Sequence, residues 1–169
     1  MNRRSFLKGL LSFLGFLWGC VTVQRLSSTD RETLAAAAAR LLPSDDGPGA
    51  AEAGVVDYIE NALAHPYHRA LREPFRRGAA LLNELAQKDW KKPFAALSAQ
   101  DQDSILSYLE SGRADTPDFP ASRFLDRLLT LTLEGFLGDP CHGGNRNHVG
   151  WKYIGFTPGE PRCRKGCGH

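Results

Sequence analysis

Apolar residues recur along positions 29–137 with the three- and four-residue spacing of helices, and no stretch alternates with the two-residue period of a half-buried strand. Thr29-Asp30-Arg31-Glu32 reads as a capping box, after which Leu34, Ala38, Leu41 and Leu42 predict a helix over about 30–42 that Pro43 stops. Pro43-Ser44-Asp45-Asp46-Gly47-Pro48-Gly49 has the composition of a loop, because these residues bend the chain or hydrogen-bond their own backbone. Val55, Val56, Ile59 and Leu63 give a second amphipathic face over about 50–64, ended by Pro66. Leu71, Phe75, Ala79, Leu82 and Leu85 predict a third helix to about Gln87, which Pro74 starts late or kinks. A fourth opens at Ser98-Ala99-Gln100-Asp101, places Ile105, Leu106 and Leu109 on one face and stops at Gly112. The fifth follows Pro120 and is the most apolar, with Phe124, Leu125, Leu128, Leu129, Leu131, Leu133 and Phe136. The predicted fold is all-α, a small irregular helical body over 28–137.

Beyond Glu134 the composition changes. Glycines at 143, 144, 150 and 155 alternate with Trp151, Tyr153, Ile154 and Phe156, a pattern of neither helix nor simple strand. Glycine there implies left-handed backbone or close approach, and the aromatics supply contact area at small entropic cost. Residues 138–169 therefore read as a Gly/aromatic-rich arm followed by a basic, cysteine-containing tail. Such a segment cannot fold alone. It either wraps back over the helices or lies on another protein, where aromatic and arginine anchors are favoured. In the second case Gly138, Asp139, Gly143, Gly144, Asn145, Trp151, Tyr153, Ile154 and Phe156 are the partner-binding candidates.

With 169 residues, 42% of them hydrophobic, the chain suits one core and excludes collagen, coiled-coil arrays and wholesale disorder. A net charge of +2 gives no global field to attract nucleic acid. Its distribution is more informative: the first eight residues carry +3, the last 32 carry +3, and the stretch between carries −4. The basic start belongs to residues 1–23, a positive region followed by an apolar run from Gly9 to Val23 that is too short and too glycine-rich for a permanent membrane span. This is an export signal. Arg3-Arg4-Ser5-Phe6-Leu7-Lys8 resembles the twin-arginine pattern, so Arg3, Arg4, Phe6 and Leu7 are its candidate recognition residues. Leu17-Trp18-Gly19-Cys20 resembles a lipobox, although Trp18 stands where a small residue is usual. Lipidation at Cys20, which would anchor the chain to a membrane surface, and an uncleaved or unconventionally cleaved signal are both open. The expected location is periplasmic, at the inner membrane.

Candidate chemistry is sparse. His65 and His68 fall at a helix end, where exposed histidines outnumber ligands, and Asp45-Asp46 between Ser44 and Gly47 suits a turn better than a paired-carboxylate site. No Gly-x-Gly-x-x-Gly, phosphate loop or Ser/His/acid arrangement is present. Twin-arginine export moves chains already folded with a cofactor or a partner, and without a cofactor fingerprint the partner is the expectation.

Leu42-Pro43-Ser44-Asp45-Asp46-Gly47-Pro48-Gly49-Ala50 with Glu52-Ala53-Gly54-Val55-Val56-Asp57-Tyr58-Ile59 forms one block, and Gly135-Phe136-Leu137-Gly138-Asp139-Pro140, Gly143-Gly144-Asn145 and Val149 to Phe156 form a second. Together they resemble the gluconate 2-dehydrogenase subunit 3 family over about residues 28–158. The resemblance implies a small, non-catalytic gamma subunit that binds no cofactor and accompanies a large FAD-dependent oxidoreductase of the glucose–methanol–choline type. It further implies a multihaem cytochrome subunit in some complexes and passage of the large subunit through the twin-arginine translocase with the small one as carrier.

Cys141-His142 departs from that family pattern, and Cys163, Cys167 and His169 lie beyond the shared block. In an oxidising compartment the expectation is one disulfide, Cys141 with Cys163 or Cys167, clamping the aromatic segment. The alternative gathers Cys141, His142, Cys163, Cys167 and His169 into a zinc or iron–sulfur site of an electron-transfer subunit. Their spacing matches neither a zinc ribbon nor a ferredoxin, and it is not a haem-attachment motif.

Overall fold

The computed structural model describes residues 26–159; the expected export signal with Arg3, Arg4, Phe6, Leu7 and Cys20, and Cys163, Cys167 and His169, lie outside the described residues. Among the described residues the regular elements are all helical, as expected. Helix α1 spans Ser28–Leu41, α2 Val55–Ala64, α3 Arg72–Trp90, α4 Ala99–Glu110, α5 Ala121–Leu137 and α6 Val149–Tyr153, with short 3-10 turns at Pro66–Leu71, Phe94–Ala96, Pro140–His142 and Arg146–His148. None is long and apolar enough to cross a membrane.

The ends of the helices follow their local chemistry. Helix α1 starts two residues before the expected position, because the Ser27 hydroxyl accepts the Asp30 N–H at 3.0 Å and becomes the cap. Helix α2 starts late, at Val55: residues 50–54 form a turn in which the Ala53 N–H reaches the Gly49 carbonyl, and Gly54 is left-handed at φ 66°. Pro74 falls in the first turn of α3, where no internal partner for its nitrogen is lost, and the helix runs on to Trp90. Ser98 caps α4 as predicted, accepting from the Asp101 N–H at 3.2 Å.

The helices enclose one core in which Leu34, Ile59, Phe75, Leu82, Phe94, Leu109 and Leu128 are fully buried. Polar ties hold its edges. Asn83 on α3 donates to the Thr33 hydroxyl at 2.8 Å and accepts the Phe94 N–H at 2.9 Å, while Gln102 donates to the Phe94 carbonyl at 3.0 Å. Both backbone groups of a buried residue in a tight turn are thereby satisfied, which removes the desolvation cost of leaving them unpaired. Arg40 binds Asp103 through two 2.7 Å hydrogen bonds and ties α1 to α4.

A latch and an exposed apolar face

The Gly-rich segment after α5 folds back onto its own helices. Gly138 ends α5, and the Asp139 carboxylate accepts the Cys141 N–H at 2.9 Å to start the next turn. Gly143 then turns left-handed at φ 104°, with the space a Cβ would fill only 2.5 Å from Asn61 Nδ2 on α2. At Gly144 the chain presses on the backbone of Gly135, so closely that a Cβ would collide with that carbonyl. Asn145 closes the latch. Its N–H donates to the Gly135 carbonyl at 2.7 Å, its side-chain amide donates to the Gly138 carbonyl at 2.9 Å, and its Oδ1 accepts the Gly150 N–H at 2.9 Å. The residue is completely buried. A polar side chain is tolerable there because its amide is spent on backbone groups that α5 and α6 cannot satisfy themselves.

Two further contacts fasten the latch. The Arg146 N–H reaches the Ala53 carbonyl at 2.9 Å, and its guanidinium reaches Asp57 at 2.8 Å, where Arg31 already binds the other carboxylate oxygen at 2.5 Å. Trp151 is 9% exposed and donates Nε1–H to the Leu137 carbonyl at 2.6 Å, with His148 and Phe156 at ring distances of 5.2 and 5.3 Å.

The partner-binding candidates therefore divide. Gly144, Asn145 and Trp151 are buried in their own chain, and packing against the body continues from residue 138 through Trp151. Of the two arrangements open for the arm, these residues adopt the wrap over the helices, because Asn145 and Trp151 find their acceptors on α5 and at its C-terminal end. Gly138, Asp139 and Gly143 shape the turn. Tyr153, Ile154 and Phe156 remain 57, 55 and 50% exposed. Periodicity in the sequence did not single out a second exposed set: Leu129, Leu133 and Leu137 recur every four residues along α5 and face outward. At the end of that row the Leu137 carbonyl accepts the Trp151 N–H, and the Trp151 ring packs against Phe156.

Cys141 and His142 share a cleft of about 480 Å³ with His65, His68, Tyr58 and Tyr67. Among the described residues no group of three or more histidine, cysteine or acidic side chains is placed to hold a metal ion. The proposed disulfide and the five-residue ligand set both need residues outside the described ones. Asp45 and Asp46 sit in the loop after α1, as a turn requires.

Several carboxyls are held below their ordinary range. The Arg40 guanidinium does this for Asp103 by a hydrogen bond, the Cys141 backbone N–H for Asp139, the Ser122 N–H and then its hydroxyl for Asp115, and the Ser44 hydroxyl for Glu52. Burial, reinforced by the acceptor Glu134 at 3.0 Å, pushes the Tyr58 phenol up to about 12. The signs are opposite. Depressed carboxyls contribute stability that is complete above their unfolded pKa of about 4 and lost as pH falls below it; a raised phenol contributes below its unfolded pKa of about 10 and is lost as pH rises toward 12. The expected melting profile is a plateau bounded on both sides, and Asp103→Asn should flatten the acid limb. A melting temperature unchanged between pH 5 and about 2.5 would contradict these assignments.

No curated protein and no solved structure matches the chain. The family model described as gluconate 2-dehydrogenase subunit 3 matches residues 28–159, most of the chain and the whole of the latched body. That family is one of dehydrogenase-complex subunits and implies a larger dehydrogenase partner, which suits an exposed apolar face better than an internal reaction site. With the two sequence blocks meeting in space where Gly135 packs against Tyr58, and the family model spanning both, the chain belongs to the gluconate 2-dehydrogenase subunit 3 family.

Proposed function

We propose that this chain is a non-catalytic subunit that docks a larger FAD-dependent dehydrogenase subunit, stabilises it and carries it through the twin-arginine translocase to the periplasmic side of the inner membrane. The observation that carries the reading is the exposed apolar row of Leu129, Leu133 and Leu137 on α5, with Ile154 and Phe156 exposed at the end of the latch, on a chain of a dehydrogenase-subunit family. Contiguous exposed apolar surface is costly on a lone protein and marks sites of association. The Arg3-Arg4 pattern supports the export role. FAD then belongs to the large subunit, a multihaem cytochrome is a further partner, and a lipid on Cys20 would hold the complex at the membrane.

The test is fractionation of cells expressing both subunits. With Arg3→Lys and Arg4→Lys, the large subunit is expected to stay in the cytoplasm together with this one. Dehydrogenase activity still found outside the inner membrane would end the carrier role. The assembly role predicts that the large subunit expressed alone gives little soluble, flavin-loaded protein; full activity of that subunit alone would remove it.

A further inference from the structure

Where the first turns of α3 approach those of α5, the packing leaves a cleft of about 330 Å³. Its floor is aromatic. Phe75 and Phe124 meet edge to face with centroids 5.5 Å apart, and Phe119 lies 6.3 Å from Phe124. Gly78 fixes that floor, since the Phe124 ring rests on α3 in the space that a Cβ at Gly78 would occupy.

The rim carries Arg77, Arg123 and Arg127 against Glu73 and Asp118, a net charge of +1. Two of these five side chains, Arg77 and Glu73, are already engaged, and Asp118 takes part through its backbone carbonyl alone. Arg77 donates to the Asp118 carbonyl at 2.9 Å and lies 4.8 Å from the centroid of Phe119, and Glu73 faces Arg76 at 4.0 Å. Arg123 and Arg127 make no ion pair, hydrogen bond or ring contact among the described residues. They stand one turn apart on α5, a spacing at which like charges repel. Two unneutralised guanidinium groups beside a preformed apolar floor have the composition of a small-ligand site, with few polar groups fixing orientation and an apolar surface holding the body.

We propose that this cleft binds a small monocarboxylate with an aromatic or short aliphatic body. The guanidinium groups of Arg123 and Arg127 hold the carboxylate by charge-assisted hydrogen bonds, and the body lies against Leu71, Pro74 and Pro120 above the buried rings of Phe119 and Phe124. The net rim charge of +1 matches one negative charge rather than the two of a phosphate monoester. Arg127 and Leu129 stand two residues apart, about 200° around α5, so the cleft lies on the other side of the helix from the exposed leucines and its occupancy does not depend on the docking role.

Calorimetric titration of the purified protein with phenylacetate and with hexanoate tests this, using phenylacetamide as the uncharged control. Saturable binding of at least one acid at millimolar concentration or below is expected, weakened tenfold or more in the Arg123→Gln/Arg127→Gln double variant and tenfold or more for the amide. Both substitutions are at exposed positions and leave the melting temperature in place. Absence of binding by both acids, equal binding by the double variant, or equal binding of the amide would each overturn the proposal.

Discussion

Asn145→Ala is expected to cost the isolated subunit about 3–5 kcal/mol, because one small side chain serves two buried backbone groups at once. Truncation leaves the Gly138 carbonyl and the Gly150 N–H without partners, at roughly 1–3 kcal/mol each, and obliges alanine to hold a left-handed φ of 45° that asparagine tolerates better. Aspartate is no substitute. It keeps the acceptor for Gly150 but sets a second acceptor, and a buried charge, against the Gly138 carbonyl. Chemical denaturation of wild type and both variants checks the ordering, and an Asn145→Ala loss below about 1 kcal/mol would mean that the latch contributes little to the body.

Trp151→Ala carries a comparable cost of about 3–5 kcal/mol, through the cavity left by a large ring that is 9% exposed. The same change strands the Leu137 carbonyl and removes the surface against which Phe156 packs. The effect belongs to the lone subunit. An arm folded on a partner predicts the reverse, an unchanged melt of the lone subunit and weakened association, so a thermal scan without the large subunit separates the two arrangements. Trp151→Phe retains most of the ring but not its N–H, and should lose only about 1–2 kcal/mol.

The helices were legible because their determinants are local. Ser98 with Asp101, the leucine spacing of α5 and the prolines at 43, 66 and 120 each act within one or two turns. The errors at helix ends have equally local causes. Thr29 looked like a cap, but Ser27 presents its hydroxyl to Asp30 first, and Thr29 becomes the carbonyl acceptor for Thr33. Helix α3 outran its expected end because Lys91 takes the left-handed conformation, φ 57°, that glycine more often announces. The latch was legible only in part. Its glycines signalled unusual backbone, yet its destination depends on Gly135, Ala53 and Asp57, far away in sequence, and no local rule pairs Arg146 with Asp57. The exposed apolar face had a readable trace: α5 is apolar beyond the single stripe that a surface helix needs, and its surplus leucines at 129, 133 and 137 fall on the outer side.

The central claim is that this outer face, rather than the buried latch, meets the large subunit. Co-purification of the tagged large subunit with a Leu133→Gln/Ile154→Gln variant tests it directly, with the melting temperature of the lone variant measured alongside. Both side chains are about half exposed, so the fold is expected to melt as wild type does. Recovery of the complex should drop at least tenfold, since truncating central apolar contacts of an interface costs about 1–2 kcal/mol or more each. Undiminished recovery of the complex with a stably folded variant would contradict the account.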